Sequence, residues 1–332
     1  MPRKYVKKEN AKKSEQKATE NASDAEAEPE PEISIPTERR VRPLEVTYKG
    51  RKYMIPSFFQ KPDTRGEYRR MINDTLVELY MCNYLINETY DEKTRNRTKV
   101  YNSFFYTSLR LRMEQAIKVQ PRRSELGPIY NRIFTRRPDT TVLQKEIIVV
   151  PIHIEKPKHW YLAIIHNASG AIRRPIPVPV SRLDDDIHKM QEFVRYEETQ
   201  ECRIIIMDSL VTWNKYRAVL SAHHTKVIET LRLWLQMTAA SIGEELMGGR
   251  VRSVVCETLP RQQNGVDCGL YMMAFAEYFT WYNTQWTEIP TDSLAYLRME
   301  PATEKSLSTD IPRLRLDALL TAMNNNVFET PK

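Results

Sequence analysis

The chain has 332 residues, of which 41% are hydrophobic and 28% charged, and its formal net charge at neutral pH is +7. This length and apolar content are enough to bury one large core. The positive charge is modest and comes without a nucleic-acid-binding motif, so nucleic acid is not predicted as a partner. Four cysteines without close pairs argue against a disulfide framework and against a zinc site. No apolar run approaches the ~18 residues of a membrane span. No cofactor is predicted.

The first 40 residues differ in composition from the rest of the chain. Basic residues cluster between Arg3 and Lys13, and residues 14–32 are rich in Glu, Ala and Pro. Such a segment cannot offset its ordering entropy by burial, so a disordered charged tail is predicted over 1–40 and a folded domain over 41–332. The basic block is either a nuclear import signal or a solvated tail. The first interpretation predicts a nuclear location, with a cytoplasmic pool as an alternative.

The first half of the domain contains both helical and strand patterns. Apolar spacing predicts helices over 75–86 and 109–117. Two β-branched runs separated by a short polar break predict neighbouring strands over 146–155 and 158–166. The connection that follows, 167–201, is long, irregular and proline-containing, and it predicts an insertion that is partly helical over 183–194.

The second half continues the same alternation. A third strand is predicted over 202–207, then an amphipathic helix around 227–235 that places Trp234 in the core. A strand is expected over 251–257, and a closing helix over 315–323. Together these elements predict an α+β fold, with a central mixed sheet flanked by helices.

Residues 261–271 indicate a cysteine at the start of a buried helix. An Asn-Gly turn signal precedes Cys268, and a nearly unbroken apolar run follows it over 270–279. A thiol at a helix N-terminus feels the positive end of the helix dipole, which favours the reactive thiolate. Gln262, six residues earlier, carries an amide that can donate a hydrogen bond to an oxyanion. Cys268 is therefore a candidate nucleophile.

A thiol nucleophile needs an imidazole base, and the imidazole needs a carboxylate to orient it. His159 begins the second predicted strand, where its side chain can face a cleft. Asp208 follows the third strand, and strand ends beside loops commonly carry catalytic groups. Taken singly, these residues also fit a packed histidine, a turn-forming aspartate and an inert core cysteine. The other histidines are interpreted as surface or packing residues, and the other cysteines as core or neutral thiols: His153, His166, His188, His223, His224, Cys82, Cys202 and Cys256.

Several ordered motifs resemble those of the Ulp/sentrin-specific proteases, which are cysteine peptidases that process SUMO and related modifiers. The motifs are His-Trp-Tyr-Leu-Ala from His159, Met-Asp-Ser-Leu from Met207, and Gln-Gln-Asn-Gly-Val-Asp-Cys-Gly from Gln262. Upstream, the segment from Met71 to Asp74 and the segment 98–106 also resemble family elements. The resemblance runs from about residue 44 to about residue 325.

The resemblance implies a papain-like architecture and a role for each matching residue. Cys268 would be the nucleophile, His159 the general base, Asp208 its orienting partner and Gln262 the oxyanion donor. Trp160 would close over the Gly-Gly tail of the modifier. The implied reaction is cleavage after that tail, with SUMO and its protein conjugates as partners.

The motifs are nearest to the branch of the family that trims SUMO chains. Two alternatives stay open at this point. One is a NEDD8-specific deconjugating protease of the same family. The other is an acetyltransferase with a related His, acidic and Cys site, against which Trp160 and the spacing from Gln262 to Cys268 argue.

Overall fold

The centre of the computed structural model is a five-stranded mixed sheet. The structure describes residues 44–48, 51–55, 72–134, 139–173, 200–211, 215–262, 264–281 and 290–294. Its strands are β1 (Leu44–Tyr48), β2 (Arg51–Ile55), β3 (Thr98–Val100), β4 (Ile147–Glu155), β5 (Lys158–His166), β6 (Ile172–Arg173), β7 (Cys202–Met207), β8 (Glu245–Leu246) and β9 (Val251–Cys256).

The order of the central sheet is β3-β4-β5-β7-β9. The two outer pairs, β3 with β4 and β7 with β9, are parallel, whereas β4 with β5 and β5 with β7 are antiparallel. The remaining strands form two small antiparallel pairs, β1 with β2 and β6 with β8. Strands β5 and β7 therefore lie side by side in the middle of the sheet, and the site below is built at their ends.

Helices flank the sheet on both faces. They are α1 (Asp74–Glu78), which continues as a π-helix (Leu79–Thr89), α2 (Glu92–Arg97), α3 (Phe104–Ala116), α4 (Leu126–Ile133), α5 (Arg217–Ser241), α6 (Cys268–Trp281) and α7 (Thr291–Leu294). Asn73 caps α1, because its side-chain oxygen accepts a hydrogen bond from the Leu76 amide at 3.0 Å. Among the described residues, none of the helices has the length and apolar character needed to cross a membrane.

The core is divided by the sheet into two apolar layers. Alternate strand residues point to opposite faces, so Ile164 and Ile205 pack on one side and Ile165 and Ile204 on the other. The first layer is completed by α1, the π-helix and α6, and the second by α3, α4 and α5. Burial of both faces explains why the central strands are continuous apolar runs rather than alternating ones.

The predicted α+β architecture is confirmed, as are the four strands and the helices around 227–235 and 270–279. Trp234 lies in the core as predicted. The helix predicted from residue 109 begins earlier, at Phe104. Aromatic packing accounts for the difference, because the Phe105 ring stacks on Tyr101 and packs edge-on against Trp234.

The start of the predicted insertion is more regular than expected. Residues Ala168–Ala171 form a 3-10 turn, and β6 then pairs with β8. Four other predictions fall outside the described residues: the tail over 1–40, most of the insertion including its helix over 183–194, the closing helix over 315–323, and Met71.

Candidate active site

The neighbouring strands β5 and β7 bring His159 and Asp208 together. Their antiparallel register pairs Leu162 with Met207, so the start of β5 lies beside the residue that follows β7. The His159 Nε2 is 2.7 Å from Asp208 Oδ1, and both side chains are completely buried. The His159 ring, which was expected to face a cleft, is fully buried in this structure.

Cys268 is the first residue of α6, which packs against β5. Its thiol lies beside the His159 ring and contributes to raising the pKa of the imidazole, and only 1% of the residue is exposed. Asp208 occupies Nε2 of the ring, whereas the buried Nδ1 has no hydrogen-bond partner among the described residues and is the nitrogen available to the thiol. The predicted position of Cys268 at a helix N-terminus is confirmed.

Opposing charges dominate the electrostatics of this cluster. Burial alone lowers the pKa of His159, but its hydrogen bond with Asp208 and the neighbouring Cys268 thiol outweigh burial and raise the pKa to about 9. Burial alone raises the pKa of Asp208, but hydrogen bonds from His159 and His224 hold it well below its usual range. At neutral pH the carboxylate is therefore ionised and the imidazole protonated. An imidazolium beside a thiol stabilises the thiolate, which is the nucleophilic form.

Gln262 is held by two hydrogen bonds beside this cluster. Its Oε1 accepts from the Ser209 hydroxyl at 2.7 Å, and its Nε2 donates to the Asn264 carbonyl at 2.6 Å. Ser209 directly follows Asp208. The loop that carries the Asp208 carboxylate therefore also holds the Gln262 side-chain amide. An amide nitrogen has two hydrogens, and the Asn264 carbonyl takes one of them.

The turn that precedes Cys268 is organised by Asn264. Its Oδ1 accepts from the amides of Val266 and Asp267 at 2.9 and 3.0 Å, and its Nδ2 donates to the Asp267 carboxylate at 2.9 Å. The Asp267 carbonyl in turn accepts from the Leu270 amide at 2.9 Å. This network sets where α6 begins, and so where the thiol lies.

Trp160 packs behind the helix start. Its indole nitrogen donates to the Ile72 carbonyl at 2.9 Å, and its ring lies 4.5 Å from that of His153 between centroids. A Cβ added to Gly269 would meet Trp160 Cδ1 at 3.6 Å. Only 2% of Trp160 is exposed. The indole is therefore next to the residue that follows Cys268, within the core.

His224 was interpreted as a surface or packing residue, and the structure places it in the core with a polar partner that the sequence did not reveal. Its Nε2 lies 2.8 Å from Asp208 Oδ2, and its side chain is buried. A sequence signal did exist, since His224 falls on the same helical stripe as Leu220, Val227 and Leu231. A histidine on a buried stripe needs a polar partner. Its spacing could not identify Asp208 as that partner.

Two of the remaining cysteines are inert, as predicted. Burial raises the pKa of both Cys202 and Cys256 to about 12. Both are fully enclosed in the core of the sheet. Their thiols stay neutral near pH 7 and are unsuited to nucleophilic attack, whereas Cys268 lies beside the His159 ring.

The chain matches the family model described as the Ulp1 protease family, C-terminal catalytic domain, over residues 70–310. It is 24% identical to sentrin-specific protease 7 of Rattus norvegicus over 247 residues, with 64% of this chain and 22% of that protein covered. It is 25% identical to ubiquitin-like-specific protease 2 of Schizosaccharomyces pombe over 224 residues, with 65% of this chain and 32% of that protein covered. The chain thus spans about a fifth to a third of the length of these relatives.

A solved structure described as that of the de-sumoylating protease aligns with 86% of this chain and 96% of its own, at 16% identity and a TM-score of 0.49. The family model, by contrast, covers well over half of the chain. The match includes every motif that carries the sequence resemblance between Asp74 and Gly269. The chain therefore belongs to the Ulp1 protease family.

Proposed function

We propose that the chain is a cysteine peptidase that cleaves the bond after the Gly-Gly tail of SUMO and so removes or trims SUMO on target proteins. The observation that carries the proposal is the buried cluster in which Asp208 is hydrogen-bonded to His159 and the Cys268 thiol lies beside the same imidazole ring. This arrangement supplies a nucleophile, a proton carrier and a carboxylate that fixes the carrier's orientation. Family membership supports the same reaction.

In the proposed mechanism, the Cys268 thiolate attacks the carbonyl carbon of the terminal glycine. The tetrahedral intermediate collapses when His159 gives its proton to the leaving lysine amine, which leaves a thioester on Cys268. His159 then takes a proton from water, and the resulting hydroxide equivalent releases the modifier's carboxylate. Asp208 stays ionised throughout and stabilises the imidazolium before and after each transfer.

Gln262 is proposed as the side-chain donor that stabilises the oxyanion. Its amide is held by Ser209 and Asn264, so little reorganisation is needed when negative charge develops. The first two backbone amides of α6, those of Cys268 and Gly269, are proposed as further donors, whereas the Leu270 amide donates to the Asp267 carbonyl.

Trp160 is proposed as a wall of the channel that receives the modifier tail. The indole packs beside Gly269, next to the nucleophile, and its nitrogen is tied to the Ile72 carbonyl. A channel lined by a rigid indole admits two glycines and excludes most residues with side chains. Trp160→Ala should therefore impair both tail binding and placement of the scissile bond, since a shift of ~1 Å can cost ~10²-fold in rate.

SUMO is the proposed modifier because the curated relatives named above include a sentrin-specific protease and a ubiquitin-like-specific protease. The Gly-Gly tail is shared among modifiers, so preference must come from the globular surface of the modifier. The motif resemblance favours chain editing, and we expect a SUMO chain to be shortened more readily than a SUMO precursor is matured.

Modifier probes with an electrophile in place of the terminal carboxylate test this proposal directly. SUMO probes should label Cys268 fastest, NEDD8 probes next and ubiquitin probes least, with the labelled residue located by mass spectrometry. Cys268→Ser is the control and should abolish labelling and lower turnover by at least ~10³-fold. Faster labelling by the NEDD8 probe would make NEDD8 the proposed modifier instead of SUMO. If no modifier probe labelled Cys268, the peptidase assignment would be overturned.

A nuclear location is proposed from the basic block between Arg3 and Lys13. Imaging the full chain beside a chain in which these basic residues are replaced by Ser tests it. Equal distribution of the two proteins would reduce the block to a charged tail without a targeting role.

A further inference from the structure

Asp208 is held by donors on both of its carboxylate oxygens. Oδ1 accepts from His159 Nε2 and from the Leu210 amide, each at 2.7 Å. Oδ2 accepts from His224 Nε2 at 2.8 Å. The carboxylate is completely buried, so these protein donors replace the water that would otherwise solvate it.

We propose that His224 is a positioning residue, which acts on the reaction by fixing the Asp208 carboxylate that orients His159. This inference rests on the proposed function. His224 does not contact the reacting atoms, and its effect passes through Asp208.

The geometry explains why a second histidine matters. Donors at Oδ1 alone restrain the rotation of the carboxylate about its Cβ–Cγ bond less than donors at both oxygens do. Such a rotation would displace Oδ1 from His159 Nε2. A donor at Oδ2 fixes the plane of the group. His224 is itself fixed, because it lies on α5, a helix of 25 residues whose buried stripe includes Leu220 and Val227.

Several charged or titratable groups surround His224. Asp208 faces it from the loop after β7, and the Tyr161 ring of β5 lies edge-on at 4.9 Å between centroids. His223 lies next to it on α5, and its Nδ1 is bonded to the Tyr161 hydroxyl at 2.7 Å. On the outer side, a cavity of about 260 Å³ is lined by His224 together with Arg217 and Glu257. Of these groups, Asp208 is the hydrogen-bond acceptor of His224 Nε2.

The two adjacent histidines provide a matched experiment. His224→Leu keeps an apolar side chain of moderate size but removes the donor, and it should lower kcat by about ten- to a hundredfold with KM within about twofold. His224→Gln places an amide donor near the position of Nε2 and should stay within about threefold of wild type. His223→Gln changes the neighbouring ring, which contacts Tyr161 instead of Asp208, and should also stay within about threefold.

A second measurement does not depend on the identity of the modifier. The rate of Cys268 alkylation by iodoacetamide, followed by peptide mapping across the pH range, reports how readily the thiolate forms. Loss of the donor at Oδ2 should loosen the Asp208 carboxylate and so weaken its hydrogen bond with His159. The midpoint of the alkylation profile should then rise by about half a pH unit, which is about threefold in thiolate stability. His224→Gln and His223→Gln should keep the wild-type midpoint.

Melting temperatures separate positioning from folding. If His224→Leu does not fold, His224→Asn replaces it, because its shorter amide does not reach Oδ2. Wild-type kcat and an unshifted alkylation profile in the donor-free variant would overturn the proposal, and so would equal losses in the Gln and donor-free variants with equally lowered melting temperatures. If wild-type protein reacts with no modifier, the proposed function fails, while the alkylation series still decides the role of His224.

Discussion

At the scale of single residues, the reactivity of this site depends on groups that are all buried: Asp208, His159 and Cys268. A buried charge is tolerated only when it is paired and hydrogen-bonded. The Asp208 carboxylate meets that condition with three donors, and the imidazolium is paired with the carboxylate through Nε2 and lies beside the thiol. The same pairing that permits burial also sets the protonation states that the proposed reaction needs.

The pH dependence of activity follows from the pKa of His159, which is raised from 6.5 to about 9. The folded protein binds this proton more tightly than the unfolded chain, so its stabilising effect is complete below pH 6.5 and is lost as pH rises through about 9. We expect kcat/KM to fall over the same alkaline range, because neutral imidazole cannot protonate the leaving amine. Initial rates measured from pH 6 to about 10.5 check this.

Asp208→Asn provides the comparison for that profile. Burial lowers the pKa of His159 and the Asp208 hydrogen bond raises it, so loss of the carboxylate should move the alkaline limb to lower pH. An alkaline limb that stays near pH 9 in the variant would show that another group is titrating.

Gln262→Ala should lower kcat by ~10²–10³-fold, the usual effect of removing one oxyanion donor, with little change in KM. Ser209→Ala is the matched variant, since it removes the hydrogen bond to Oε1 and leaves the Nε2 donor in place. It should cause a smaller loss. Steady-state kinetics of both variants give the comparison, and a rise in KM alone for Gln262→Ala would assign the residue to binding.

At the scale of elements, the position of the thiol depends on how closely α6 approaches its neighbours. Residue 269 lies against the segment before α1, where an added Cβ would meet Ile72 Cβ at 3.1 Å. That atom is next to the backbone whose carbonyl accepts the Trp160 indole hydrogen bond, so it cannot move independently. The start of α6 is thus packed against both Ile72, in the segment before α1, and Trp160 of β5.

Gly269→Ala should therefore destabilise the protein by about 1–3 kcal/mol through overpacking, and it should lower kcat by displacing Cys268. Gly265→Ala is the control within the same turn region, because an added Cβ there meets nothing within 4 Å. Chemical denaturation and kinetics of the two variants test this. Equal stability of both would mean that α6 has room to shift without cost.

At the scale of the whole molecule, the proposed catalytic groups all lie between His159 and Cys268 in the sequence, outside the charged segment 1–40. Deleting residues 1–40 should leave kcat/KM within a factor of a few, because a charged segment with few bulky apolar residues contributes little to a preorganised site. Kinetics of the full and shortened chains on the same substrate measure this. A loss of tenfold or more would show that the segment docks on the enzyme or its substrate.

The sequence by itself determined the elements and the candidate chemistry. Continuous apolar strands and amphipathic helices follow from local patterns with periods of two and 3.6 residues, so the mixed sheet and α6 were predictable. The motifs around His159, Asp208 and Cys268 identified the family, because several ordered matches over most of a chain are far more specific than any single match.

Only the tertiary structure decided which groups meet. His224 is 16 residues from Asp208 along the chain but 2.8 Å from it in space, and Ser209 reaches Gln262 across 53 residues. Local patterns place a residue on a helix or strand but do not encode its partner on another element. The sequence also did not determine how deeply the site is buried. The burial of His159 and Trp160 depends on how α6 and the segment at Ile72 pack over β5. Sequence periodicity therefore determines elements, whereas the packing of elements determines hydrogen-bond partners and pKa values.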